Sequence, residues 1–308
     1  MAPGLLVIGD VVTDVVAVHS APVASGTDTE AEIVLRPGGS GANTAAWAAH
    51  LGADVTLLAR VGFDSGEWHT SELVKSGVRP LLRVDQERPT AVVIAMVDPT
   101  GERSMLTNRG AGGRISPDDW SPDLLDGIGR LHLSAYTMFA EPGLRLVRRA
   151  MADAVARGVA VSVDPASTGP LRSFGVERFL AETAPADLVI PNLDEALVLT
   201  GAPTPEQAAE LLSERYGTAV VKLGGGGALA AVGGAVTARA QAVPTRAVDS
   251  TGAGDAFAAG FLSARLSGAG DRAALEAGCR AGAECVALVG GRPRYGLELN
   301  RLYPIHTD

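Results

Sequence analysis

The chain has 308 residues, of which 46% are hydrophobic and 20% charged, and this balance supports a full core and excludes a disordered protein. Its net charge of −9 excludes a general basic surface for nucleic acid. No run approaches the roughly 18 apolar residues of a membrane span, and the start of the chain lacks the basic and apolar regions of a signal peptide. We therefore expect a cytoplasmic protein with no nucleic-acid and no membrane partner.

Short apolar runs along the chain are typical of buried parallel strands. They lie at Leu5–Ile8, Val55–Ala59, Arg130–Leu133, Val159–Val163, Leu188–Ile190 and Ala219–Lys222. Helical patterns lie between them, at Gly41–Leu51, Gly143–Arg157 and Thr204–Tyr216. This alternation predicts an α/β fold, with an open, mostly parallel sheet and helices on both of its faces.

Four further strand patterns interrupt that alternation. They lie at Val11–Val18, Glu30–Arg36, Thr90–Val97 and Arg103–Thr107. The last two face each other across a Pro-Thr-Gly turn at Pro99–Gly101, which is typical of a hairpin. We interpret them as a small antiparallel sheet, inserted at about residues 11–37 and 88–109, that forms a lid over a cleft. No long linker divides the chain, so we expect a single domain over residues 1–308.

Residues 248–262 carry the most informative pattern. A Gly-rich turn, Thr251–Gly254, runs into an apolar helix that begins near Asp255. Backbone N–H groups and the positive end of a helix dipole at such a junction form a receptor for phosphate oxygens. A carboxylate beside that receptor suits phosphoryl transfer to a hydroxyl. The alternative is that Asp255 only caps a core helix.

A second Gly-rich cluster, Gly38–Asn43, opens an Ala-rich helix. Its glycines would let a ligand approach the backbone, and Asn43 can donate to and accept from hydroxyls. Asp10 and Asp14 follow the first predicted strand, at the usual ligand edge of an α/β sheet. The alternatives are a tight packing turn for the cluster and solvated turn carboxylates for the two Asp residues.

Two motifs follow later strands. Asn192 and Glu195 could organise Mg²⁺ through water, or they could form a capping box at a helix start. Lys222 precedes four glycines, Gly224–Gly227, which leave room for a nucleotide or form a hairpin turn before a strand at Ala228–Val232. His132 lies between leucines in a predicted strand, where a satisfied core histidine is the expected role.

From Gly9 to about Gly291 the chain resembles the ribokinase-like, PfkB-type carbohydrate kinases. The motifs that carry the resemblance are Gly-Gly-Ser-Gly-Ala-Asn at 38–43, Arg-Val-Gly-Phe-Asp-Ser-Gly at 60–66, Asn192-x-x-Glu195 and Asp-Ser-Thr-Gly-Ala-Gly-Asp at 249–255. The resemblance implies a ribokinase-like fold and ATP-dependent phosphorylation of a hydroxyl on a small sugar or sugar acid. It also implies a homodimer formed through the lid.

The resemblance further implies roles for individual residues. Asp255 would be the base, with Gly252, Ala253 and Gly254 as the anion hole. The sugar would be held by Asp14, Gly38, Gly39, Asn43 and Arg109. ATP and Mg²⁺ would be served by Asn192, Glu195 (through water to Mg²⁺), Lys222, Gly224, Gly226 and Gly227. Asp249 and the Gly290-Gly291 turn match a monovalent-cation site for an ion such as K⁺.

The chain also departs from ribokinases proper. Ser40 stands where they usually carry Lys, and Ser134-Ala135-Tyr136 stands where they carry a Glu. The segment from Arg103 to Arg109 resembles that of 2-keto-3-deoxygluconate kinases, without the tyrosine expected between the arginines. Two alternatives stay open. One is a nucleoside kinase of the adenosine type, and the other is a non-catalytic sugar-binding relative.

Overall fold

The computed structural model describes residues 3–98 and 103–294, with the Arg103 side chain left out. Within these ranges the strands are β1 Gly4–Ile8, β2 Val12–His19, β3 Ala31–Gly38, β4 Val55–Gly62, β5 Arg79–Asp85, β6 Ala91–Val97, β7 Arg103–Asn108, β8 Ile128–Ser134, β9 Ala160–Asp164, β10 Leu188–Val189, β11 Thr218–Lys222, β12 Ala228–Val232 and β13 Ala235–Ala240. The helices are α1 Ser40–His50, α2 Gly66–Lys75, α3 Glu141–Ala156, α4 Thr168–Phe174, α5 Val176–Glu182, α6 Leu193–Thr200, α7 Pro205–Tyr216, α8 Ala253–Leu266 and α9 Asp271–Val286.

The larger sheet contains nine of the described strands, in the order β13-β12-β11-β10-β9-β8-β1-β4-β5. Pairing is parallel from β5 to β11, and β12 and β13 are antiparallel at one edge. The predicted mostly parallel sheet is therefore confirmed. Sequence patterning missed the two edge strands β5 and β13. Because β5 lies at the edge of the sheet, it can accommodate Pro80 and its arginines. These residues interrupt the apolar run by which the other strands were predicted.

Helices cover both faces of this sheet. Along β1, Leu6 and Ile8 point into one apolar core, while Leu5 and Val7 point into the other. This alternation follows from the two-residue repeat of a strand, and it explains why every β1 side chain is buried. Among the described helices, none is long and apolar enough to cross a membrane.

A second sheet has the strand order β3-β2-β6-β7. The pairs β2–β3 and β6–β7 are antiparallel, as expected for hairpins, but the central pair β2–β6 is parallel. That pairing is parallel because a long crossover through the main sheet separates β2 from β6. The turn predicted at Pro99–Gly101 lies outside the described residues. Because β2 starts four residues after β1 ends, this sheet stands at the carboxyl edge of the main sheet. We call it the lid.

Helices α8 and α9 pack closely against each other through a glycine. A Cβ on Gly260 of α8 would lie 2.7 Å from the Ala277 carbonyl oxygen and 3.0 Å from the Ala281 Cβ. The backbones of the two helices can approach this closely only because Gly260 has no side chain. This packing supports α8 along its length behind the Gly-rich turn at its start.

We predict that Gly260→Ala lowers the free energy of unfolding by about 2 kcal/mol, since overpacking a tight contact forces backbone shifts. The measurement is urea denaturation. Gly169 provides the matched control, because it also lies in a helix but a Cβ there would meet nothing within 4 Å. Gly169→Ala should leave stability unchanged or raise it slightly. Equal effects of the two substitutions would contradict the packing explanation.

Candidate active site

Two cavities open at the carboxyl edge of the main sheet and share a wall. The first, of about 870 Å³, lies under β2, β6 and β7, and we call it the lid cavity. The second, of about 570 Å³, lies against the Gly-rich loop after β11, and we call it the glycine cavity. Ala166, Gly252 and Asp255 line both cavities. A group on that wall can therefore contact two ligands at once.

Asp255 lies in the first turn of α8, behind a turn that ends at Gly252 in a left-handed conformation (φ 76°). Its carboxylate accepts two side-chain hydrogen bonds. Ser40 Oγ donates to Oδ1 at 2.9 Å, and Asn43 Nδ2 donates to Oδ2 at 3.0 Å. Burial raises the pKa of Asp255 to about 7, although these hydrogen bonds act in the opposite direction. The carboxylate can therefore exchange a proton near neutral pH.

The donors reach Asp255 because the start of α1 packs directly against the end of β1. A Cβ on Gly41 would lie 2.5 Å from Gly9 Cα, so both positions require glycine. Gly39 has φ 98°, which residues with side chains rarely adopt, and a Cβ there would lie 2.5 Å from the Asp10 carbonyl oxygen. The Asp10 carboxylate accepts the Gly41 N–H at 3.1 Å, and its burial raises the pKa of Asp10.

Asp14 projects from β2 into the lid cavity, and its carboxylate lies against Gly38. A Cβ on Gly38 would lie 2.0 Å from Asp14 Oδ2, which explains the glycine. Burial, and then the Asp10 carboxylate, raise the pKa of Asp14 to about 7, while Arg292 acts against them. Arg292 is buried and donates to the Gly38 carbonyl at 2.9 Å and to Asn43 Oδ1 at 3.4 Å.

Arg109 follows β7 at the mouth of the lid cavity. Its Nη1 donates to the Tyr136 carbonyl at 3.2 Å, and its guanidinium carbon lies 5.8 Å from the centre of the Phe139 ring. The side chain is exposed, so its other N–H groups can reach a ligand in the cavity. Tyr136 also lines this cavity, and burial raises the pKa of its hydroxyl to about 12.

A buried ion pair forms the floor of the glycine cavity. Lys222 Nζ donates to Asp164 Oδ2 at 2.6 Å, with the two side chains 11% and 7% exposed. Burial opposes the Lys222 charge, but Asp164 and Glu195 outweigh it and raise the pKa of Lys222. A Cβ on Gly254 would lie 3.4 Å from Lys222 Nζ, so a fixed positive charge stands beside the start of α8.

Asp164 also holds the wall between the cavities. Its Oδ1 accepts the Ala166 N–H at 2.9 Å. Ala166 has φ 75°, the only positive φ of a non-glycine residue in the described ranges. Such a conformation costs free energy and persists where the surroundings impose it. Asp164 therefore fixes both Lys222 and the turn that separates the two cavities.

Asn192 and Glu195 form a capping box at the start of α6. Asn192 Oδ1 accepts the Glu195 N–H at 2.9 Å, and Glu195 Oε2 accepts the Asn192 N–H at 2.9 Å. Burial and the nearby Asp164 carboxylate raise the pKa of Glu195 to about 7. The helix-start interpretation is thus confirmed, and both side chains also line the glycine cavity.

Asp249 joins the turn before α8 to the end of the described chain. Its Oδ1 accepts the Thr251 N–H and its Oδ2 accepts the Gly290 N–H, both at 2.9 Å. Asp249 and Gly290 are therefore in contact, and the cation site that the resemblance implies there stays a prediction. Nowhere in residues 3–98 and 103–294 do three or more His, Cys, Asp or Glu side chains form a group that could hold a metal ion.

The structure sorts the predicted residues into two groups. The lid cavity is lined by Asp14, Gly39, Asn43, Arg109, Asp249, Gly252 and Asp255. The glycine cavity is lined by Asn192, Glu195, Lys222, Gly224, Gly227, Gly252, Ala253, Gly254 and Asp255. Gly38 and Gly226 line neither cavity. His132 is buried and its Nδ1 lies 3.0 Å from Ser162 Oγ, as expected for a core histidine.

Sequence reasoning missed the contacts of Asp164, Arg292 and Ser40. Asp164 could have been found, because it directly follows the predicted strand Val159–Val163 in the same way that Asp10 follows the first strand. Ser40 was noticed as a departure from ribokinases, without its bond to Asp255. Arg292 offered no local signal, since its partners are about 250 residues away in the sequence.

Comparison with known proteins places the chain in a family. Residues 2–294 match the pfkB family carbohydrate kinase model. A fructokinase from Klebsiella pneumoniae is 31% identical over 83% of the chain and 82% of its own length. A 2-dehydro-3-deoxygluconokinase from Thermoproteus tenax is 30% identical over 82% of the chain and 80% of its own length. The structure of an adenosine kinase from Sinorhizobium meliloti is also similar, with a TM-score of 0.86, 27% identity and coverage of 95% of this chain and 96% of that one.

The chain therefore belongs to the pfkB family of carbohydrate kinases. It is an ATP-dependent phosphotransferase, and the predicted fold class and enzyme class are both confirmed.

We predict that the ion pair between Lys222 and Asp164 is strongly coupled. Lys222→Met should lower the free energy of unfolding by about 3 kcal/mol, because it leaves a buried carboxylate unpaired. The double variant, Lys222→Met with Asp164→Asn, should lose clearly less free energy of unfolding than the two single variants lose in sum. Urea denaturation of the four proteins of this double-mutant cycle is the measurement.

The exposed pair between Arg79 and Asp54 is the matched control for that cycle. Both side chains are more than half exposed, so solvent screens their attraction. Asp54→Asn should change stability little. Additive effects of Lys222→Met and Asp164→Asn would show that the buried pair does not act as a unit.

Proposed function

We propose that this kinase transfers the γ-phosphoryl group of ATP to a hydroxyl of a small sugar or sugar acid, with Asp255 as the base. The observation that carries the proposal is the shared wall, where Asp255 and the start of α8 face both cavities. The acceptor occupies the lid cavity and ATP occupies the glycine cavity. Their reacting atoms then meet at the start of α8, which both cavities contact.

Asp255 accepts the proton of the acceptor hydroxyl as that oxygen attacks the γ-phosphorus, while the bond from the γ-phosphorus to the β,γ-bridging oxygen breaks and ADP leaves. A pKa of about 7 suits this task, since the carboxylate is partly ionised at neutral pH and basic enough to take the proton. The backbone N–H groups of Gly252, Ala253 and Gly254 stabilise the negative charge that develops on the phosphoryl oxygens, together with the dipole of α8. Lys222 adds a full positive charge beside them.

The acceptor is held by the side chains and backbone of the lid cavity. Asp14 accepts hydrogen bonds from its hydroxyls, and Gly39 and Asn43 contact it at the start of α1. Gly38 contributes indirectly, because its missing side chain makes room for the Asp14 carboxylate. Arg109 faces the acceptor from the cavity mouth, where its charge suits a carboxylate. The lid closes over the acceptor and excludes water from the reaction.

ATP lies along the loop after β11, against Gly224 and Gly227, whereas Gly226 belongs to the same loop but does not line the cavity. Asn192 and Glu195 serve Mg²⁺, with Glu195 acting through water. The oxygen donors in this cavity fit a hard divalent cation, which when bound neutralises phosphate charge. Asp249 and the Gly290-Gly291 turn form a site for a monovalent cation such as K⁺. We place the activity in the cytoplasm, where ATP is abundant, and assign residues 1–308 to a single kinase domain.

A nucleoside kinase is the second candidate, and the size of the lid cavity favours it. About 870 Å³ exceeds what a single sugar fills, and apolar lid residues such as Val16, Val93 and Met105 could contact a base. The similarity to an adenosine kinase points the same way. A non-catalytic sugar-binding protein is disfavoured, since Asp255 and the Gly-rich turn are both present.

The test is ATP consumption by the purified protein with neutral pentoses, neutral hexoses, keto-deoxy sugar acids and nucleosides. We expect turnover with at least one sugar or sugar acid. Turnover with nucleosides alone would establish the second candidate instead. Absence of turnover with every class would contradict both kinase assignments.

Asp255→Asn serves as the catalytic control in that screen. It should retain the fold and ATP binding but reduce kcat by about a hundredfold or more, the usual scale for loss of a general base. Asp271→Asn is the matched variant, because Asp271 occupies the first turn of α9, away from both cavities. It should leave kcat unchanged. Comparable loss in the two variants would remove Asp255 from the mechanism.

The outer face of the lid supports a homodimer. In register across the sheet, a row of apolar residues faces away from the cavity: Leu35, Val15, Ile94 and Leu106. Leu35 is 62% and Leu106 60% exposed. Exposed apolar patches mark interfaces, and a two-fold axis would pair this row with its own copy.

We predict that Leu35→Asp combined with Leu106→Asp converts the dimer to a monomer, because burying two charges in each half of the interface is unfavourable. Sedimentation velocity of the wild type and the variant measures this. Val155→Asp, which adds a charge to an exposed residue of α3 instead, is the control and should leave the mass unchanged. A monomeric wild type would refute the proposed dimer.

A further inference from the structure

The proposed base on α8 is held by two donors from a different helix, α1. Ser40 Oγ donates to Asp255 Oδ1 at 2.9 Å, and Asn43 Nδ2 donates to Asp255 Oδ2 at 3.0 Å. Each carboxylate oxygen accepts one fixed hydrogen bond and retains capacity for another. The carboxylate cannot rotate without breaking both bonds, so its orientation toward the lid cavity is set by α1.

Ser40 is itself fixed through its main chain. The backbone of Ser40 and that of Gly41 both hydrogen-bond the Asp10 carboxylate. Gly39, the residue before the first turn of α1, has no side chain that could accept hydrogen bonds from these amides. The Asp10 carboxylate accepts them instead. Ser40 therefore connects two carboxylates, one at the end of β1 through its backbone and one at the start of α8 through its hydroxyl.

We propose that Ser40 is a positioning residue, whose hydroxyl keeps the Asp255 carboxylate ionised and correctly oriented to receive the proton of the acceptor. This inference rests on the proposed function. A hydroxyl that donates to a carboxylate stabilises the charged form over the acid, and more strongly than a bond between neutral groups. Burial and the Asp164 carboxylate favour the acid form of Asp255, and the Asn43 and Ser40 hydrogen bonds and the Lys222 charge oppose it.

Ser40 gives a cleaner test of this arrangement than Asn43. The Asn43 amide also accepts from Arg292 Nε at 3.4 Å, so its removal would disturb a buried cation as well as the base. The Ser40 hydroxyl contacts Asp255, and its loss removes a single oxygen without emptying the core. A purely structural role for Ser40 would lower activity equally at every pH.

The experiment is the pH dependence of kcat for the wild type, Ser40→Ala and Ser40→Thr, with the best acceptor found. Loss of the donor makes the Asp255 carboxylate easier to protonate. The acid limb of the kcat–pH profile should therefore move to higher pH by about one unit. At pH 6 the Ser40→Ala rate should fall about tenfold, whereas above about pH 9 the rates should converge. Ser40→Thr, which keeps the hydroxyl, should return the limb toward the wild type.

Ser167→Ala is the matched control, because the Ser167 hydroxyl lies in the same cavity but bonds Tyr136. It should leave the acid limb in place, whatever its effect on the rate. The proposal is overturned if the acid limb of the Ser40→Ala profile coincides with that of the wild type, or if kcat falls equally at all pH values. Should Ser40→Ala fail to fold, Ser40→Cys offers a similar volume with a weaker donor and should shift the limb upward.

A second readout separates this proposal from the proposed function. Carboxyl-carbon NMR titration of the protein without substrate follows Asp255 directly, with its signal assigned by Asp255→Asn. An upward shift of the Asp255 titration in Ser40→Ala supports the positioning role even if every tested acceptor fails. An unchanged titration overturns it even if the protein proves to be an active sugar kinase.

Discussion

The site depends on one close approach between backbones, where the end of β1 meets the start of α1. A Cβ on Gly9 or Gly41 would lie 2.5 Å from the other residue's Cα, so neither position admits a side chain. This contact places the first turn of α1 at the carboxyl edge of the sheet, within reach of the first turn of α8. Two helix starts then face one carboxylate, Asp255, and the positive ends of both helices act on the same cavity wall.

The same arrangement concentrates ionisable groups that a stable core would exclude. Asp14, Glu195 and Asp255 each have a pKa of about 7, and burial is the first cause in every case. Lys222 pairs with Asp164 at 2.6 Å in the floor, and the nearby carboxylates raise the pKa of Lys222. Removing such carboxylates from water costs stability, which the two apolar cores offset. The surroundings thus give Asp255 a proton affinity suited to neutral pH.

Sequence patterning predicted most of the frame, because a strand buried on both faces leaves an apolar run and a capped helix leaves polar start signals. It placed the lid strands within one or two residues, and it placed the residues of both cavities near strand ends. It could not predict the parallel pairing of β2 with β6, which depends on how distant segments meet. Nor could it predict the bond from Ser40 to Asp255, whose partners lie 215 residues apart. The assigned roles of the site residues stay predictions.

The lid is made of two hairpins, β2–β3 and β6–β7, that meet only along β2 and β6. Each hairpin is one continuous stretch of sequence, and none of its described residues lines the glycine cavity. If the acceptor binds in the lid cavity, as proposed, the acceptor side can change by replacement of two short segments, while the elements that contact the other cavity stay as they are. Such a division lets one phosphoryl-transfer core diversify its acceptors, and the fructokinase, 2-dehydro-3-deoxygluconokinase and adenosine kinase similar to this chain act on three different kinds of molecule.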